Sequence, residues 1–104
     1  MKITINEKEF ESKKINVKLY MEYTKASKKI NERINKNGLY TDEDFEDMAE
    51  MLVKVYDNQF DKEDLFDMEA DEFIFAFNEI DLQVGEKLQK KIELMQKAFT
   101  KGKK

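Results

Sequence analysis

Apolar residues recur at helical spacing through most of the chain, and the widest stripe lies between Thr41 and Tyr56. Phe45, Met48, Ala49, Leu52, Val53 and Tyr56 fall at steps of three, four, seven, eight and eleven, one face of a 3.6-residue turn. Met51 and Val55 widen that face beyond what a surface helix needs. The pattern therefore predicts a central helix over 42–57, packed from more than one side. Thr41 with Asp44 is an N-cap signal, and Asp42, Glu43 and Asp44 suit the positive end of the helix dipole.

Upstream, Leu19, Tyr23, Ala26, Ile30 and Ile34 step by four, three, four and four, predicting a helix over 17–37 with Lys18, Lys25, Lys28, Lys29 and Arg33 off its stripe. Asn37-Gly38 ends it, glycine supplying a left-handed cap. Before it, Lys2-Ile3-Thr4-Ile5 alternates as a strand does. Asn6-Glu7-Lys8 reads as a turn, with Asn6 holding a positive φ where glycine is usual, and the chain returns as a second strand through Ile15. A lone hairpin is unstable in water, so this one, over 1–16, must lie on the helices. It serves either as a cover for the core or as an edge for pairing with another copy.

Downstream, a turn and a short helix over 61–68 are predicted, capped by Asp61, with Asp64 in its first turn and Leu65 and Phe66 closing over the core. From Asp71 on, Phe73, Phe77, Ile80, Val84, Leu88, Met95 and Phe99 form one slowly drifting stripe with Ile92 at its border, predicting a helix over 71–99. Such a helix extends about 43 Å, more than the roughly 30 Å width of a domain this size. Either Gly85 breaks it into two antiparallel halves, or its basic end projects to meet another chain; a glycine costs about 1 kcal/mol in a helix interior, which permits both. Phe75 and Leu82 sit opposite the stripe, as buried residues of a sandwiched helix or as an exposed pair marking a partner surface. Residues 100–104 read as a basic tail. The fold class is mainly α with a small N-terminal β-hairpin: a compact bundle of about four helices, in a single domain over 1–104.

Composition works mainly by exclusion. The 104 residues contain no cysteine and no histidine, and Ser12 and Ser27 are the only serines. A disulfide scaffold, thiolate chemistry and the usual nucleophile–base pairs are therefore out, which fits a reducing compartment. No stretch approaches the roughly 20 apolar residues of a membrane span, and no signal-peptide core opens the chain. No glycine-rich phosphate loop occurs. Carboxylates are plentiful, but runs such as DEDFEDMAE are expected on a solvated face with nothing to raise one pKa selectively. The sequence points away from an enzyme, a bound cofactor or a metal.

Charge is layered. Residues 1–36 hold ten Lys/Arg against five Asp/Glu, residues 37–81 two against sixteen, and residues 82–104 seven against two. Either these are solvated faces that help neighbouring segments find each other, or basic ends and an acidic middle steer head-to-tail contact between copies or with a charged partner. The helix over 17–37, basic and bearing tyrosines, raises nucleic-acid binding, but a net charge of −4 lacks the electrostatic footprint for it. The acidic stretch from Asp57 raises a calcium loop. Lys62 then stands where the turn requires glycine and Met68 where a bidentate glutamate is required; starting at Asp61 places Leu65 at a ligand position. The pattern fails.

Several pieces carry a family resemblance. Lys2-Ile3-Thr4-Ile5-Asn6 with Glu9-Phe10 comes first, then Ile15 and Val17 leading into a helix. Val53, Val55-Tyr56-Asp57-Asn58-Gln59-Phe60 and Asp64-Leu65 follow, and Ala70-Asp71-Glu72-Phe73-Ile74 completes the set. Over roughly residues 1–85 the chain resembles the tail assembly chaperones of long-tailed bacteriophages and prophages of low-GC Gram-positive bacteria. Glu7 and Met68-Glu69 depart from it, standing where turn glycines are expected. The resemblance implies a non-enzymatic chaperone that coats the tape-measure protein, brings tail-tube protein to it in the host cytoplasm, and is absent from the mature virion. It also implies a longer second product made by −1 ribosomal slippage, for which Lys101-Gly102-Lys103-Lys104 permits a slippery heptamer. The candidate partner-binding residues are Phe60, Leu65, Phe66, Phe75 and Leu82, which lie at the connector or off the main stripe. Two other readings stand beside this one: a small acidic inhibitor mimicking nucleic acid, and a structural subunit of a phage neck or tail.

Overall fold

In the computed structural model, which describes the backbone of residues 1–102 and the side chains of residues 1–98, two strands precede four helices. Strands β1 (Lys2–Ile5) and β2 (Lys8–Glu11) pair antiparallel with Ile5 opposite Lys8, leaving Asn6 and Glu7 as a two-residue turn. Both have positive φ, 50° and 68°, the mark of a type I′ turn. Asparagine adopts this conformation readily and glutamate does not, so the strain expected at Asn6 is shared with Glu7. Alternation along β1 turns Ile3 and Ile5 into the core. β2 ends at Glu11 rather than continuing to Ile15, because the chain there leaves its partner for the end of a helix: Lys13 N–H donates to Val55 O at 3.1 Å.

Helix α1 (Val17–Asn37) starts at Asn16, whose Oδ1 accepts from Leu19 N at 2.8 Å, and stops at Gly38, whose φ of 78° lets its N–H reach Ile34 O. Helix α2 (Asp42–Val55) is the centre of the fold: α1, α3 (Lys62–Phe66) and α4 (Ala70–Gly102) all pack on it. Its Met48, Ala49, Met51, Leu52 and Val55 are buried on more than one side, as the wide stripe requires. A capping box opens it, Thr41 and Asp44 each accepting from the other's N–H. Asp57 and Asn58 close it, both left-handed; Asn58 N–H reaches Val53 O at 2.9 Å and Asp57 N–H reaches Lys54 O at 3.1 Å. This is a Schellman stop built on aspartate and asparagine instead of glycine. The acidic stretch that suggested a calcium loop thus begins as a helix terminator. It continues as the capping box of α3, in which Asp61 and Asp64 exchange the same pair of bonds.

The last helix is not broken at Gly85. α4 runs 33 residues without interruption, about 50 Å at 1.5 Å per residue. One interior glycine removes about 1 kcal/mol of helix propensity, too little to interrupt hydrogen bonding that continues on both sides. The first half of α4 closes a compact body with the hairpin and the other helices; the second half projects from it. The radius of gyration, 16.7 Å, exceeds the roughly 13 Å of a globular chain of this length because of that arm. Helical backbone continues into the expected basic tail as far as Gly102; Lys103, Lys104 and the side chain of Phe99 lie outside the described residues.

Candidate functional site

Three cross-links make the body a platform. The first is Arg33, expected on a solvated face but instead the tie between α1 and α2. Its Nε donates to Lys29 O at 3.3 Å and lies 3.1 Å from Asp44 Oδ1; Nη1 lies 3.1 Å from Glu43 Oε2, and Nη2 bonds Asp47. The Asp47 bond is the main reason the guanidinium pKa is pushed up. Asp44 is fully buried, so its carboxylate caps α2 with one oxygen and faces Arg33 with the other. The second is Tyr20, whose hydroxyl donates to Asp81 at 2.6 Å and so joins α1 to α4; this bond raises the Tyr20 pKa. The third is Gln59, whose Nε2 donates to Glu11 O at 2.8 Å and Tyr56 O at 2.7 Å. Beside it Phe60 meets the Phe10 ring edge-on at 5.2 Å. The Asn58-Gln59-Phe60 piece of the family resemblance is therefore a clip holding the hairpin to the helices.

Of the five residues expected to meet a partner, Phe60 and Leu65 are buried and belong to the core. The connector folds inward over α2, which removes both from the surface. Phe66 is exposed, and Phe75 and Leu82 are 57% and 54% exposed, so α4 is not sandwiched on that side.

Two further apolar surfaces extend beyond the five residues singled out as partner contacts: one is the projecting end that the sequence offered as an alternative to a break at Gly85, and the other was not foreseen. The first is the arm itself, where Leu88, Leu94 and Met95 are 57%, 65% and 71% exposed. A stripe longer than the body is wide was its available signal. The second is a groove of about 380 Å³ between α2, α3 and the start of α4, floored by Phe45, Leu65, Phe66, Met68 and Phe73 and edged by Asp42 and Glu46. No local pattern marks it, since three separate segments build it. A further cleft of about 420 Å³ lies where α4 leaves the body, lined by Lys13, Lys14, Lys87 and Lys91 with Ile15, Val84 and Leu88.

Among the described residues no group of three or more acidic side chains is placed to hold a metal ion, and no helix is long and apolar enough to cross a membrane. What the surface offers is contact: bare apolar faces with charged margins. No curated protein and no solved structure matches the chain. A family model described as phage tail chaperone protein matches residues 1–104, reaching past the 1–85 over which the resemblance was read. The chain belongs to the phage tail chaperone family, whose members serve tail assembly.

Proposed function

We propose that this tail chaperone coats the tape-measure protein during assembly and keeps that long amphipathic chain soluble until tail-tube protein displaces it. The observation that supports this reading best is the apolar pair left bare on the side of α4 away from its buried stripe, where Phe75 and Leu82 are each more than half exposed. Such a face suits an amphipathic client helix, and many weak contacts along one client add to avidity while remaining reversible. Client contact falls to Phe66, Phe75 and Leu82, which stand clear of the packed stripe. The protein acts without catalysis, in the host cytoplasm, and leaves before the virion is complete. The acidic-mimic reading is weaker because Asp44 is buried and Asp44, Asp47, Asp61 and Asp64 are already engaged in helix caps or on Arg33.

Co-expression tests the reading. A tape-measure fragment should be soluble with the wild-type chaperone and insoluble with Phe75→Ser/Leu82→Ser, whose thermal transition should stay near that of wild type. An insoluble fragment beside the wild-type protein would sink the proposal. A soluble one beside a well-folded double variant would move the contact elsewhere. The longer −1 product is part of the same proposal, and the coding DNA decides it. Codons such as AAG-GGA-AAA over Lys101–Lys103 permit slippage, whereas AAG-GGC-AAG-AAG or an immediate stop in the −1 frame removes it.

A further inference from the structure

The outer face of α1 carries charge that contacts within this chain leave unused. The helix buries Leu19, Tyr23 and Ile30. About a third of a turn from that buried stripe, Lys18, Lys25, Lys29 and Lys36 fall on one straight line, at steps of seven, four and seven. All four are exposed, and so is Lys28 further round. Among the described residues none of these five lysines has a carboxylate within ion-pair distance. The other charged groups of α1 are mostly committed: Arg33 is tied to α2, and Glu22 lies 4.0 Å from Lys54. Glu32 stays free, and Glu50 of α2 lines a shallow cleft beside Lys25 and Lys29 without pairing with either. At the N-terminal end of the same face Val17 and Met21 are 77% and 52% exposed, and Met21 stands one turn from both Lys18 and Lys25.

We propose that this face of α1 is a second docking surface, separate from the client contact on α4, and that its occupant is an acidic amphipathic helix of another protein. The lysines rise along the axis by about 10.5, 6 and 10.5 Å. A helix laid alongside rises at the same rate, so carboxylates at steps of seven, four and seven meet all four lysines at once. Rows of opposite charge along two helices set partner choice in this way. The pattern reads the same in both directions, and Val17 with Met21, bare at one end only, selects the orientation. A nucleic acid fits the face less well. Phosphate and base recognition draws on arginine forks and stacking aromatics. The one arginine of α1 is turned onto α2, Tyr23 is buried, and Tyr20 is bonded to Asp81. A polyanion longer than α1 also meets the field of residues 37–81, with sixteen acidic side chains against two basic ones, and so does an anionic lipid surface. A short acidic helix gains the lysine row and the apolar pair without meeting that field.

Fluorescence anisotropy with a labelled synthetic peptide tests the idea. The probe is a helical peptide of about 21 residues, with glutamates at steps of seven, four and seven and two leucines one turn apart near one end. It should bind the purified chain saturably and more weakly as salt is added. A control peptide of the same composition, its glutamates spread around the helix, should bind at least about 10-fold more weakly. Lys18→Gln/Lys25→Gln/Lys29→Gln/Lys36→Gln should cost the first peptide at least as much, with circular dichroism unchanged because all four side chains are exposed. Lys87→Gln/Lys91→Gln, which removes charge from α4 instead, should cost it little. Equal binding of the two peptides, or an equal loss from the α4 variant, would reduce the effect to net charge and overturn the proposal. So would a wild-type chain that binds neither peptide, or one that binds an RNA oligonucleotide or phosphatidylglycerol vesicles more tightly than the first peptide. Phe75→Ser/Leu82→Ser should bind the peptide as wild type does; a loss there would merge the two surfaces and end the claim of a second one. None of these outcomes touches the solubility test for the chaperone reading.

Discussion

Phe77 and Leu88 stand eleven residues apart on the same face of the same helix, yet one is buried and the other is more than half exposed. Around Phe77 the chain supplies cover: the Tyr23 ring lies 4.9 Å away, Ala76 and Ile80 are buried beside it, and α2 packs against the helix. Past Val84 the body ends and the stripe does not. An amphipathic pattern encodes a face that needs covering, but it does not encode whose side chains will cover it. In the first half of α4 the partner is the chain itself; the second half displays the same kind of face without one.

The contrast can be broken most sharply by truncating its covered member. Phe77→Ala should lower the free energy of unfolding by about 3–5 kcal/mol, read from urea denaturation followed by circular dichroism. A loss below about 1 kcal/mol would mean that the two halves are equally loosely held. Alkaline pH tests the same region. Burial, aided by the nearby Asp81 charge, pushes Tyr23 up to about 12, and burial also raises Tyr56, whose hydroxyl has no hydrogen-bond partner. Both phenols are kept neutral by the fold, so their contribution is whole below pH 10 and is lost as pH rises toward 12. For Tyr23 this loss is on the order of 2–3 kcal/mol. The denaturation midpoint should fall across that window, and Tyr23→Phe should flatten the fall.

The fold class was legible in the sequence because stripes at steps of three and four leave few choices for residues 17–37, 42–57 and 71–99, and because β1 alternates. The site was much less so. Arg33 lies off its stripe, as a solvated arginine does, and only the tertiary placement of α2 brings three carboxylates to it. Phe60 and Leu65 sit in a connector whose inward path depends on two consecutive left-handed residues, a conformation that Asp57 and Asn58 permit by type but do not require. Phe75 and Leu82 were ambiguous for the reason α4 itself was: apolar residues on a second face show where contact is possible, not whether this chain provides it.

Smaller effects sharpen the comparison. A Cβ at Gly85 would meet nothing within 4 Å, so Gly85→Ala should favour the helix by about 1 kcal/mol. That gain should appear as slower amide exchange in residues 86–98, with little change in the global transition. A matching rise in global stability would show that arm and body melt as one unit. Least of all, Leu88→Ser in dilute protein should move stability by no more than about 0.5 kcal/mol, because the side chain is bare before and after. Calorimetry at low concentration would reveal a larger loss.

The Gln59 clip also sets an order of events during synthesis. Its bond to Glu11 reaches across 48 residues of sequence, and the neighbouring bond from Lys13 to Val55 spans nearly as many. Two strands alone are marginal in water, so β1 and β2 have nothing to rest on until the end of α2 and the clip have been translated. Ribosomes add roughly 5–20 residues per second, which leaves Ile3, Ile5 and Phe10 waiting for a few seconds at least. The segment made earlier folds later, and every newly made copy passes through an interval in which its own core residues are as bare as the arm of α4.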